Sequence, residues 1–110
     1  MWSPFQSGAT IGTEGSESGT IVADLEHELG ARITIEQGGT TAPFAITCGI
    51  YGSFGHTCFF KTREAADSQC AAMQAEMHSI LQLFPEESDP DHDAKSEAVF
   101  EAISDFVASH

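Results

Sequence analysis

The chain has 110 residues, of which 41% are apolar and 9% aromatic, enough for one hydrophobic core and not for two. Seventeen acidic residues against four basic ones give a formal net charge of −13, which repels phosphate and argues against nucleic-acid or anionic-membrane binding through Lys and Arg. No apolar run is long enough to span a bilayer, so neither nucleic acid nor membrane is an expected partner.

The start, Met-Trp-Ser-Pro-Phe, has neither the basic nor the apolar region of a signal peptide. Cys48, Cys58 and Cys70 are odd in number and not in C-x-x-C spacing, which suits reduced thiols and a cytoplasmic protein. Residues 1–19 hold four Gly, four Ser and two Thr, with few apolar side chains to offset the entropy of ordering them. They are expected to form a flexible arm ahead of a single domain at 20–110.

Residues 20–39 fit two patterns. As a helix, Ile21, Val22, Leu25 and Leu29 share a stripe ending at Gly30. As a hairpin, a three-residue loop Glu28-Leu29-Gly30 puts glycine where such a turn needs a left-handed residue. The hairpin pairs His27 with Ala31, Glu26 with Arg32, Leu25 with Ile33 and Asp24 with Thr34. Turn, apolar face and cross-strand charge pair are then satisfied by one register, and this reading is favoured.

Gly38 to Pro43 reads as a loop, Phe44 to Tyr51 as a strand, Gly52 to Gly55 as a turn and His56 to Lys61 as a returning strand. Pairing Ile35 with Ile46 and Ile33 with Cys48 continues the apolar face. Pairing Tyr51 with His56 sets Cys48 opposite Phe59 on that face. The core face is then Ala23, Leu25, Ile33, Ile35, Ile46, Cys48, Ile50 and Phe59.

Thr62 is a suitable N-cap, and Ala66, Cys70, Met73, Met77, Ile80 and Phe84 recur at helical steps, predicting a helix over 63–84 that Pro85 ends. An acidic linker over 85–93 leads to a second helix striped by Val99, Ala102, Ile103, Phe106 and Val107. The expected fold is α+β: an antiparallel meander of three to four strands with two C-terminal helices packed on one face, a two-layer sandwich.

The opposite sheet face is expected to carry charges mixed with Tyr, Phe, Cys and Gly. Arg32, Gly49, Tyr51, His56, Cys58 and Phe60 form the expected binding surface, flat and suited to a protein partner or a second copy of the chain. Cys58 and His56, two apart on one strand, are weak candidates for a catalytic thiol and base, with no third orienting group. Cys48 falls on the other face, so no closed zinc site results.

Asp89, Asp91 and Asp93 imitate the start of a calcium loop, but Ala94 and Phe100 stand where its Gly and Glu belong. These carboxylates read better as helix N-terminal charges, and no cofactor is expected. No phosphate-cradling, nucleophile-elbow or H-E-x-x-H motif is present. From Glu86 to His110 eight acidic residues face one basic one, a concentration that could steer a basic partner. The favoured function is therefore a binding domain acting through the outward sheet face. The alternative is an acidic inhibitor or immunity-type protein using its C-terminal helix, and a Cys/His enzyme ranks third.

Overall fold

The alternating residues after Thr20 pair as a hairpin and not as a helix. In the computed structural model, which describes residues 1–110, β2 (Thr20–His27) and β3 (Ala31–Gln37) join through Glu28-Leu29-Gly30. Gly30 has φ +106°, the left-handed conformation that a side chain would resist, and its N–H donates to the His27 carbonyl at 2.9 Å. His27–Ala31, Glu26–Arg32, Leu25–Ile33 and Asp24–Thr34 pair as expected. A bulge between Ile21 and Ala23 then turns Ile21 to the face opposite Ala23, where it pairs with Glu36.

β4 (Phe44–Ile50) continues the meander, with Ile35 opposite Ile46 and Ile33 opposite Cys48. β5 (Phe54–Phe60) follows a turn at Tyr51-Gly52-Ser53. Here the expected register is corrected: Cys48 pairs with His56 and Ile46 with Cys58. The offset is odd, so every side chain of β5 changes face. The reason lies in β5 itself, since Phe54, Cys58 and Phe60 alternate with Gly55 and Thr57 and put more apolar surface on the core side.

The sheet has five antiparallel strands in the order β1-β2-β3-β4-β5, one more than expected. The additional one is β1 (Trp2–Pro4), which pairs with β2 through Trp2–His27, Ser3–Glu26 and Pro4–Leu25. A short 3-10 turn, Phe5–Gly8, follows.

α1 (Arg63–Leu81) starts at Thr62, whose side chain accepts the Ala65 N–H at 3.2 Å. Its buried stripe is Ala66, Cys70, Met73, Met77, Ile80 and Leu81; the helix stops short of Pro85, and Leu83 and Phe84 stand exposed. α2 (His92–Ser109) buries Val99 and Phe106 and leaves Val107 exposed. Both helices pack on one sheet face, over Ile33, Ile35, Ile46, Cys48, Ile50 and Cys58. No helix is long and apolar enough to cross a membrane.

Candidate functional site

On the face away from the helices, strand alternation lines up Asp24, Arg32, Thr34, Glu36, Thr47 and Gly49. Three of these polar residues, Asp24, Thr34 and Glu36, are buried without any helix above them. The cover comes from the chain's own N-terminal segment. Composition predicts a loose arm at residues 1–19, and the structure lays that segment across the sheet.

The carboxylates explain why it settles there. A buried carboxylate is costly unless its oxygens receive hydrogen bonds. Glu36 Oε1 accepts the backbone N–H groups of Glu17 at 3.0 Å and Gly19 at 3.1 Å, and Ser16 Oγ donates to Oε2 at 3.4 Å. A Cβ on Gly15 would fall 2.2 Å from Glu36 Cδ, so this approach requires glycine. Asp24 accepts from Arg32 through two nitrogens, from Thr34 at 2.9 Å and from Thr10 at 2.8 Å. Burial alone would raise the Asp24 pKa, but the hydrogen bonds from Arg32, Thr10 and Thr34 outweigh it and hold the carboxyl below its usual range. The Phe5 ring completes the cover, with the Arg32 guanidinium carbon 3.8 Å from its centroid.

Between this segment and the β4–β5 turn the sheet face stays open as a cleft of about 680 Å³. Glu14, Gly15 and Ser16 form one wall and Tyr51 to Phe54 the other, with Arg32, Thr34, Glu36, Thr47 and Gly49 among the lining. Gly49 is required by backbone crowding, because a Cβ there would meet the Phe54 carbonyl oxygen at 2.5 Å. Thr47 Oγ1 lies 3.3 Å from Thr57 Oγ1 and 3.5 Å from Ser16 Oγ, so hydroxyls run across the sheet beside the cleft.

The expected binding surface therefore divides. Arg32, Gly49 and Tyr51 line the cleft together, with Tyr51 56% exposed. His56, Cys58 and Phe60 belong to the core face because of the β5 register. Cys58 is 9% exposed, and burial pushes its thiol pKa up, the opposite of what a nucleophilic thiolate requires. His56 Nε2 is buried with no hydrogen-bond partner. Outward aromatic area on β5 comes instead from Phe59, which the sequence reading placed in the core and which is 42% exposed.

Asp89, Asp91 and Asp93 do not converge. Asp89 accepts from Lys95 Nζ at 2.5 Å and from the Asp91 N–H at 2.8 Å, and no group of three or more His, Cys, Asp or Glu is placed to hold a metal ion.

A polar cluster missed by the sequence reading lies on the core side, where β2 ends. His27 is buried; its Nδ1 accepts the Leu29 N–H at 3.1 Å, and its Nε2 lies 2.8 Å from His78 Nδ1 and 3.1 Å from the Met1 ammonium. Trp2 meets the His27 ring edge-on, with centroids 5.2 Å apart, and donates to the Gln74 carbonyl at 3.2 Å. The available signal was His27 falling in phase with Leu25 and Ala23.

No protein-family model matches the chain, and neither a curated protein nor a solved structure matches it.

Proposed function

We propose that the chain is a small acidic binding domain that receives a segment of a partner protein in the cleft over β3 and β4. The observation that carries this reading is the cleft, a concavity of about 680 Å³ on the outward sheet face, walled on one side by the chain's own N-terminal segment. Its size falls in the range of pockets that seat a ligand or a few residues of a chain. Hydroxyls of Ser16, Thr47 and Ser53 can each donate or accept, which suits the alternating groups of a peptide backbone. Gly49 leaves the floor bare for close approach, and Tyr51 offers an exposed amphipathic ring of the kind enriched at binding hot spots. With Asp24 neutralising Arg32 and −13 on the whole chain, the fitting segment is polar and not acidic.

A photo-crosslinking residue in place of Tyr51 should trap one discrete protein, and the adduct should vanish when Ser53→Trp fills the cleft. Equal trapping from Tyr51 and from Glu64, exposed at the start of α1, would overturn the reading.

One observation favours a second reading, docking of a basic partner through the C-terminal helix. Phe100 is 73% exposed on α2 beside Glu97 and Glu101, and Leu83 and Phe84 are exposed at the end of α1. Binding there should weaken steeply with salt and on reversing Glu97 and Glu101 to Lys, whereas binding in the cleft should respond to neither. The three cysteines are free and buried, which supports placing the protein in a reducing compartment such as the cytoplasm.

A further inference from the structure

An open sheet has two edges, and the two in this protein are treated differently. The β1 edge is three residues long and ends on Pro4, which has no N–H to offer. The β5 edge is seven residues long, Phe54–Phe60, and pairs with β4 along its whole length without a shift. It has no Pro, no charged residue and no bulge, the devices that keep an edge from pairing with another chain. No backbone group of residues 54–60 bonds to any segment outside the β4 ladder, so its outer N–H and C=O groups are unpaired.

Charge identifies what can approach this edge. The chain carries −13, yet no Asp or Glu occurs between Gln37 and Arg63, and Lys61 and Arg63 follow the strand. A second copy therefore meets no carboxylate on β5 itself. The strand is also self-complementary. Antiparallel pairing about Thr57 sets Phe54 opposite Phe60 of the second copy and Gly55 opposite its Phe59. Phe59 is exposed on the outward face, and a Cβ on Gly55 would meet nothing within 4 Å. Each Phe59 ring can therefore lie over the other copy's glycine, an arrangement that shields both.

We propose that β5 pairs with β5 of a second copy about Thr57, joining the two five-stranded sheets across a two-fold axis. The interface uses the same patch on both copies, so it closes as a dimer, and the Pro4 edge prevents further growth. It does not rest on the cleft reading, since the outer side of β5 lies apart from Arg32 and Tyr51.

Light scattering across a concentration series of the full chain tests this. The expected result is a dimer that Phe59→Lys and Gly55→Lys each weaken by about tenfold or more, with the monomer fold kept by circular dichroism. Thr57→Cys provides an independent measurement, because the two-fold brings Cα atoms of opposed residues to about 4.5–5.5 Å and mild oxidation should link the copies covalently. A wild-type chain that stays monomeric at high concentration would overturn the proposal. So would a dimer indifferent to both lysine variants, or Thr57→Cys chains that remain unlinked.

Discussion

Arg32 grips Asp24 diagonally across β2 and β3, with Nε donating to Oδ1 at 2.9 Å and Nη2 to Oδ2 at 2.6 Å, although its direct cross-strand neighbour is Glu26. The diagonal choice follows from burial. The Asp24 side chain is fully buried while that of Arg32 is 34% exposed, and a fully buried carboxylate gains more from a bidentate donor than the half-buried Glu26 would. The pair also anchors the N-terminal segment, through Thr10 on the aspartate and Phe5 on the guanidinium.

Asp24→Ala should therefore destabilise the fold by about 3 kcal/mol, the low end for breaking a buried ion pair because Arg32 keeps some water. Urea unfolding measures this directly. A loss within about 0.5 kcal/mol, the usual range for surface substitutions, would mean that the pair carries no structural weight.

Two pH windows follow from the buried groups. Burial first, then the adjacent Met1 ammonium and His78, lower the His27 pKa from its usual 6.5. Between that lowered value and 6.5 the unfolded chain binds more protons, so stability is full above pH 6.5 and declines as pH falls through the folded pKa. Asp24 behaves likewise from its usual 3.8 downward, giving a second, more acidic loss. Thermal unfolding against pH should show both steps, and His27→Gln should remove the first alone. Trp2, the single tryptophan and in edge contact with His27, should report the first step by fluorescence.

The two facing glycines of β4 and β5 should respond oppositely to a methyl group. Gly49→Ala drives its Cβ against the Phe54 carbonyl and should cost about 1–3 kcal/mol, as overpacking against backbone does. Gly55→Ala enters open space and should be neutral or stabilise by up to about 1 kcal/mol through the unfolded chain. Equal effects at both positions would contradict the observed β4–β5 register.

All three thiols should resist reagents in the native protein. Burial pushes Cys48 up to about 12 and Cys70 up to about 11, and raises Cys58 as well. A thiol-disulfide reagent near pH 8 should label none of them until urea is added. Rapid labelling of Cys58 in the folded chain would return it to the outward face.

The meander from β2 to β4 was legible because Gly30, Leu25, Ile33, Ile35 and Ile46 all require one register, so turn, pattern and pairing agree. β5 was not, because the turn residues Gly52 and Gly55 permit loops of different length, and Phe59 and Phe60 are adjacent and equally apolar. The alternation of Phe54, Cys58 and Phe60 with Gly55 and Thr57 was the signal that decides between them. The path of the N-terminal segment was not legible either. It bonds to Glu36 through the backbone N–H groups of Glu17 and Gly19 and to Asp24 through the Thr10 hydroxyl, contacts that a Gly/Ser-rich composition does not announce, and only the need of two sheet carboxylates for donors pointed to it. The cleft residues Arg32, Gly49 and Tyr51 were found because β3 and β4 were in register, and His56 and Cys58 were misplaced because β5 was not.

Residues 5–19 close over the outward sheet face, and that closure forms one wall of the cleft. Backbone amide exchange by NMR at Glu17 and Gly19 tests it most directly. Both N–H groups donate to Glu36 Oε1, so both should exchange about 100-fold or more slowly than an open chain, and both should speed up together in Glu36→Ala. Exchange at open-chain rates in the wild-type protein, at a pH and temperature where β3 is protected, would contradict it.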